Sequence, residues 1–233
     1  MKIAILGAMP EEVEPLLDYF ESYKTVEYAK NKFYTLTYKG CEIVIAYSKI
    51  GKVNATITAT TMIEKFGCEK LLFSGVAGAV SDELKIGDLV VATKLAQHDL
   101  DISAFGHPFG YVPEGSVYEK TDKLLIEIAK EVAFEKNLPL KETVIATGDQ
   151  FVCDPDRKKW IEKTFGAGAL EMEGAAVALV CNALDVPSFI LRSISDAADM
   201  DAGFDFDKFL ESSAKISAGF IITMVEKIID KTK

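Results

Sequence analysis

Apolar positions along the chain change period repeatedly, and those changes divide it into strands and helices. Residues 2–8 are a near-continuous apolar run, which predicts a first strand. Pro10 then opens a helix whose Val13, Leu16, Leu17 and Phe20 recur on one face. Residues 33–38 and 42–47 read as a hairpin turning at Lys39-Gly40. Residues 53–66 read as a helix with Ala55, Ala59, Met62, Ile63 and Phe66 on one side. Strands follow at 71–74 and 89–95, and residues 106–116, rich in glycine and proline, form a loop long enough to have a task of its own. Helices over 121–136, 155–165 and 174–184 alternate with strands over 142–147, 168–172 and 189–195, and a last helix spans about 206–229. Such alternation is the mark of an α/β protein with a mostly parallel or mixed sheet.

No repeat, linker or low-complexity stretch interrupts the pattern. With 233 residues, 49% of them hydrophobic, residues 1–233 are expected to form a single domain with a large core. Lysine and arginine number 26 against 36 aspartates and glutamates, a formal charge of −10, so nucleic acid is not an expected partner. The start of the chain has no leader-like segment, and no apolar stretch reaches the ~18 residues that span a bilayer. A cytoplasmic protein without membrane partners is expected. Cys41, Cys68, Cys153 and Cys181 lack C-x-x-C spacing and only His98 and His107 are present. Buried free thiols, rather than zinc or disulfides, are the expectation.

Candidate chemistry lies in two acidic segments. Ala169-Leu170-Glu171-Met172-Glu173-Gly174 and Arg192-Ser193-Ile194-Ser195-Asp196 set Glu173 and Asp196 at carboxyl ends of strands, where open α/β sheets bind ligands. Asp196 follows an apolar strand and has few local polar partners, which favours a raised pKa; capping a following turn is its other role. Ser195 can orient that carboxyl group or simply end the strand. Glu171 and Glu173 share a face if the segment is extended, and one of them suits a buried ion pair with Arg192 or a lysine. Glu12 lies in the first turn of the first helix, a favourable place for any carboxylate, on the side nearer the sheet, whereas Glu11 points away. Ser74-Gly75-Val76-Ala77-Gly78 reads as a strand followed by a glycine turn, and neither it nor Lys49-Ile50-Gly51-Lys52-Val53 has nucleotide-loop spacing. Phe151 and Met172 serve equally as core.

Taken with Ile3-Ala4-Ile5-Leu6-Gly7-Ala8-Met9-Pro10-Glu11-Glu12, Asp101-Ile102-Ser103-Ala104-Phe105 and Gly148-Asp149-Gln150-Phe151-Val152, these segments resemble, in order and over essentially the whole chain, those of the nucleoside phosphorylase superfamily. Within it the chain is similar to the 5′-methylthioadenosine/S-adenosylhomocysteine nucleosidases. The resemblance implies a three-layer α/β/α sandwich around a central mixed sheet. It implies hydrolysis of an adenine nucleoside without metal or cofactor, with Asp196 as general acid toward adenine N7, Glu12 as base toward water and Glu173 on the ribose hydroxyls. Met172 would also meet the ribose, Phe151 would stack on the base and the Val152 main chain would read its edge. Val76, Ala77 and Gly78 would underlie the nucleoside, Ser195 and Arg192 would support the acids, and Met9, Ile50 and Phe206 would receive the 5′ group. Phe105, His107 and Pro113 would come from the second subunit of a homodimer. His107 resembles the branch that also cleaves 6-amino-6-deoxyfutalosine, which implies a link to menaquinone synthesis beside methionine salvage.

Only two arginines, Arg157 and Arg192, occur in the chain, and Glu11 and Glu12 follow the first strand where a phosphate site would want the guanidinium fork. Electrostatics therefore favour water over phosphate as the nucleophile. A phosphorylase, a non-catalytic nucleoside-binding protein and an unrelated carboxylate–metal enzyme are the alternatives.

Overall fold

The computed structural model describes residues 1–199 and 202–232. The elements follow in the order β1 (Lys2–Gly7), α1 (Pro10–Phe20), β2 (Lys24–Tyr28), β3 (Asn31–Tyr38), β4 (Cys41–Tyr47), α2 (Lys52–Glu64), β5 (Lys70–Ala79) and β6 (Leu89–Gln97). Then come β7 (Tyr118–Lys120), α3 (Lys123–Glu135), β8 (Leu140–Thr147), α4 (Pro155–Phe165), β9 (Ala167–Glu171), α5 (Gly174–Ala183), β10 (Ser188–Asp196) and α6 (Ala202–Thr232).

Alternation along β1 sets the layers. Ile3 and Ile5 pack with Val13 and Leu16 of α1 and with α3 and α6, whereas Ala4 and Leu6 face Ala55, Ala59 and Met62 of α2 and Val177 and Cys181 of α5. All of these side chains are buried, and at roughly 25 cal/mol per Å² of apolar surface such burial is the main favourable term in folding. Helices thus cover both faces of a mixed sheet, as expected.

The sheet runs β10-β6-β8-β9-β5-β1-β4-β3-β2, and β10 also pairs with β5. The hydrogen bonding of β5, β10, β6, β8 and β9 therefore closes into a ring, from which β1, β4, β3 and β2 extend as a sheet. Strand β5 is the junction: Lys70–Phe73 pair with β1, Leu71–Gly78 with β10 and Gly78–Ala79 with β9. Its length corrects the sequence-based expectation, for Ser74 to Gly78 is continuous strand and not a strand followed by a turn. β2 and β7 were also not expected; β2 is a largely exposed edge strand and β7 has three residues, so neither shows a buried apolar period. The last helix starts at Ala202, ahead of residue 206. Cys41, Cys68 and Cys181 are buried free thiols, but Cys153 is exposed. Among the described residues no helix is long and apolar enough to cross a membrane.

Candidate active site

A cavity of about 270 Å³ opens where β1, β4, β5, β8, β9 and β10 end. Thirteen of the fourteen residues expected from this subunit line it: Glu12, Glu173 and Asp196, and the ten others save Arg192. Its walls are mainly apolar, which lowers the local dielectric and strengthens every charge interaction inside. Phe206 of α6 meets Phe151 edge-on at 5.6 Å between ring centres, so the long helix contributes to the cavity wall.

Glu12 is the third residue of α1, and the backbone explains why this glutamate turns inward. Its Oε2 accepts the amides of Ala8 at 2.6 Å and Met9 at 3.0 Å, capping the helix, while Oε1 accepts the Val76 amide at 3.0 Å. A carboxylate accepts about four hydrogen bonds, so one acceptor position is left for a water. Burial raises its pKa, and the Arg192 charge and the three amides pull in the opposite direction. The net effect is upward, so Glu12 is a stronger base than a carboxylate in water. Capping and chemistry were alternatives in the sequence; the side chain is placed to do both.

Asp196 owes its direction to a β-bulge. Ile194 pairs with Ala77 and Asp196 with Gly78, so Ser195 is an extra residue in β10. Successive strand residues ordinarily face opposite ways, whereas Ser195 and Asp196 both line the cavity, as a bulge permits. Ser195 Oγ donates to Asp196 Oδ2 at 2.9 Å and the Ala198 amide to Oδ1 at 2.9 Å. Burial raises the pKa of Asp196 against the lowering effect of those two donors. A raised pKa and turn capping thus coexist here.

The two glutamates of the Glu-Met-Glu run part company. Glu171 ends β9, and its oxygens receive Thr147 Oγ1 at 2.5 Å, the amides of Glu173 and Gly174, and Arg192 Nη2 at 2.6 Å. Every acceptor position is used, so Glu171 touches the cavity without capacity for a ligand. Glu173 lies between β9 and α5 with non-extended backbone (φ −140°, ψ −33°), so the condition for sharing a face with Glu171 is not met. Its Oε1 accepts only the Gly51 amide, at 2.7 Å, and Oε2 has no partner among the described residues. Burial, followed by the neighbouring Glu171, pushes its pKa up to about 8, with Gly51 and Arg192 opposing.

Arg192, expected among the site residues as a support for the acids, does not line the cavity. It is 1% exposed, lies over the Phe73 ring at 4.0 Å and donates to the Phe73 and Leu191 carbonyls as well as to Glu171. Its charge acts from behind the acids. Arg157 is engaged elsewhere, against His98 and the Trp160 ring. The described lining residues accordingly hold four carboxyl groups, Glu12, Glu171, Glu173 and Asp196, and no lysine or arginine. No set of three or more described His, Cys, Asp or Glu side chains is arranged to hold a metal ion.

Ala8, Gln150, Leu170 and Glu171 also line the cavity and were not among the expected residues. Gln150 and Glu171 lay inside the segments that drew attention, while Ala8 and Leu170 offered only their nearness to strand ends. Phe105, His107 and Pro113 are exposed beyond β6 and do not line the cavity of their own chain; His107 stacks on Tyr111 at 4.7 Å.

The Phosphorylase superfamily profile matches residues 2–226. Aminodeoxyfutalosine nucleosidase of Campylobacter jejuni is 58% identical over 228 residues, covering 98% of this chain and 100% of its own. The 5′-methylthioadenosine/S-adenosylhomocysteine nucleosidase of Bacillus cereus is 38% identical over 230 residues, with 98% of this chain and 100% of its own covered. Among solved structures, the Helicobacter pylori 5′-methylthioadenosine/S-adenosylhomocysteine nucleosidase in complex with a pyrrolopyrimidine–pyrrolidinol superposes with a TM-score of 0.97 at 51% identity, covering 97% of this chain and 98% of that one.

Proposed function

Because the chain belongs to the phosphorylase superfamily and is an N-glycosyl hydrolase of its nucleosidase group, we propose that it cleaves 5′-methylthioadenosine, S-adenosylhomocysteine and 6-amino-6-deoxyfutalosine, releasing adenine and the free ribosyl product. The observation that carries this reading is the pair Glu12, in the first turn of α1, and Asp196, at the end of β10, in one mainly apolar, cation-free cavity. The relatives named for both substrate types, the aminodeoxyfutalosine enzyme at the higher identity, support the breadth of the range.

Cleavage of the glycosidic bond builds positive charge on the ribose and negative charge on the departing base. Asp196, protonated because burial favours the neutral acid, donates to N7 of adenine and makes it a better leaving group. Ionised Glu12 uses its remaining acceptor position to take a proton from the water that attacks C1′, by analogy with the two carboxyls of inverting glycosidases. Glu173 accepts a hydrogen bond from a ribose hydroxyl at Oε2 and, once ionised by that contact, stabilises the oxocarbenium-like state. Phe151 stacks on the base, and Met9, Ile50 and Phe206 receive the 5′ substituent. Phosphate would meet four carboxyl groups and no cation, so water is the nucleophile.

Phe105, His107 and Pro113 complete the 5′ end of a second subunit's cavity in a homodimer. Exposed Phe105, Ile50 and Val53 supply apolar surface for that contact. The setting is the cytoplasm, in methionine salvage and menaquinone synthesis.

The test is product analysis after incubation with the three nucleosides and with inosine, with and without phosphate. Free adenine and an unphosphorylated sugar are expected from the first three, and little reaction from inosine, whose 5′ hydroxyl would lie unpaired in an apolar site at a cost of roughly 1–3 kcal/mol. A 1-phosphate product, or turnover that requires phosphate, would overturn the hydrolytic reading. Full activity in a species that light scattering shows to be monomeric would remove the shared-site claim.

A further inference from the structure

We propose that Lys52 and Asp99 are positioning residues for this reaction, forming with Asp149 a polar clamp that holds the Gly51 amide against Glu173. Lys52 Nζ donates to Asp99 Oδ1 at 2.7 Å and to Gln97 Oε1 at 3.1 Å. The other Asp99 oxygen accepts the Asp149 amide at 2.8 Å, and Asp149 Oδ1 in turn accepts the Lys52 amide at 2.8 Å. The three residues therefore close a triangle that grips Lys52 at both its backbone and its ammonium group.

The clamp is shielded, with side-chain exposure of 17% for Lys52 and 14% for Asp99, unlike an ordinary surface ion pair. Burial disfavours the Asp99 carboxylate, yet the Lys52 and Asp149 donors together hold its pKa below the usual range. The Asp99 carboxylate is therefore held in its charged form.

None of the three side chains lines the cavity, so they act through what they hold. Gly51 directly precedes Lys52 and has φ of 98°, a conformation that suits glycine. A Cβ on it would stand 3.1 Å from Asp149 Oδ1. With the Gly51–Lys52 peptide fixed in this way, the Gly51 amide reaches Glu173 Oε1 at 2.7 Å. Among the described residues it is the one donor to the carboxyl group assigned to the ribose, and Oε2 is left without a partner there. On its other side Asp149 leads into Gln150, Phe151 and Val152, so the clamp sets the ribose and base positions relative to each other.

The inference rests on the nucleosidase reading, and a double-mutant cycle tests it. Lys52→Met, Lys52→Arg and Asp99→Asn are made alone and with Glu173→Met, which removes the acceptor of the Gly51 amide, and kcat/KM for methylthioadenosine is measured by adenine release, with thermal unfolding as the check on folding. Acting through Glu173, Lys52→Met and Asp99→Asn should each lower kcat/KM by about 10-fold in the parent and by less than about 2-fold beside Glu173→Met, the size of coupling that contacting residues show. Lys52→Arg, which keeps the charge, should recover most of the loss. Equal losses in both backgrounds would overturn the proposal, and should Lys52→Met fail to fold, the near-isosteric Asp99→Asn decides by the same criterion. A parent protein that releases no adenine would sink the nucleosidase reading instead.

Discussion

Gly78 leaves the space that Asp196 occupies. The two residues pair across β5 and β10, and a Cβ built on Gly78 would fall 2.6 Å from Asp196 Oδ1 and 3.1 Å from the Ala198 Cβ. Gly75 does the same for Glu12, whose Oε1 would lie 2.8 Å from an added Cβ, with Arg192 Nη1 at 3.2 Å. These glycines let the backbone of β5 approach the protein's own acids. Substitution of Gly78 by alanine should therefore displace Asp196 while the strand persists. A fall in kcat of about 10²-fold is expected, the scale of a 1 Å misplacement; unchanged kinetics in the folded variant would contradict the crowding.

Asp196→Asn keeps the shape and the Ser195 and Ala198 contacts but removes the proton. Turnover should drop by roughly 10²-fold or more with circular dichroism unchanged. Near-parental kcat in that variant would exclude Asp196 as the general acid.

Glu12 and Glu173 should separate by what they impair. Glu12→Gln is expected to bind methylthioadenosine with parental affinity in calorimetry and to lose turnover, while Glu173→Gln should weaken binding as well. The reverse pattern would exchange their roles.

Glu173 also predicts a stability profile. Its pKa in the folded chain is about 8 against the ordinary 4.5, so the folded state holds more protons than the unfolded one between those values. Stability linked to this proton is complete below pH 4.5 and is lost as pH rises through about 8. Glutamine cannot ionise, so Glu173→Gln should match the parent's Tm in acid and exceed it by at least about 3 °C at pH 8. A difference that does not vary with pH would show that the carboxyl group is not held neutral.

Arg192→Met leaves the Glu171 carboxylate buried beside Thr147 without its cation. Breaking one side of a buried pair costs about 3–5 kcal/mol, so denaturant midpoints should fall sharply. A midpoint near the parent's would mean that the amides and Thr147 suffice for Glu171.

Much of this protein is written in local pattern. The alternation that put Ile3 and Ile5 opposite Ala4 and Leu6 and the one-face recurrence of Val13, Leu16 and Phe20 located the layers and the strand ends, because period reports local geometry directly, whereas the thirteen cavity residues were legible only through the resemblance of the ordered segments to a known family. Which glutamate of the Glu-Met-Glu run keeps a free oxygen was decided only by the tertiary structure. Glu171 and Glu173 stand two apart with the same chemistry; one is saturated by Thr147, Arg192 and two amides, while the other keeps a free oxygen because its donor, Gly51, lies 122 residues away. The bulge at Ser195, the room left by Gly75 and Gly78 and the withdrawal of Arg192 behind the site likewise depend on partners brought together across the sheet. A hydrogen-bond count or a close approach belongs to the assembled neighbourhood, and no window of sequence contains that neighbourhood.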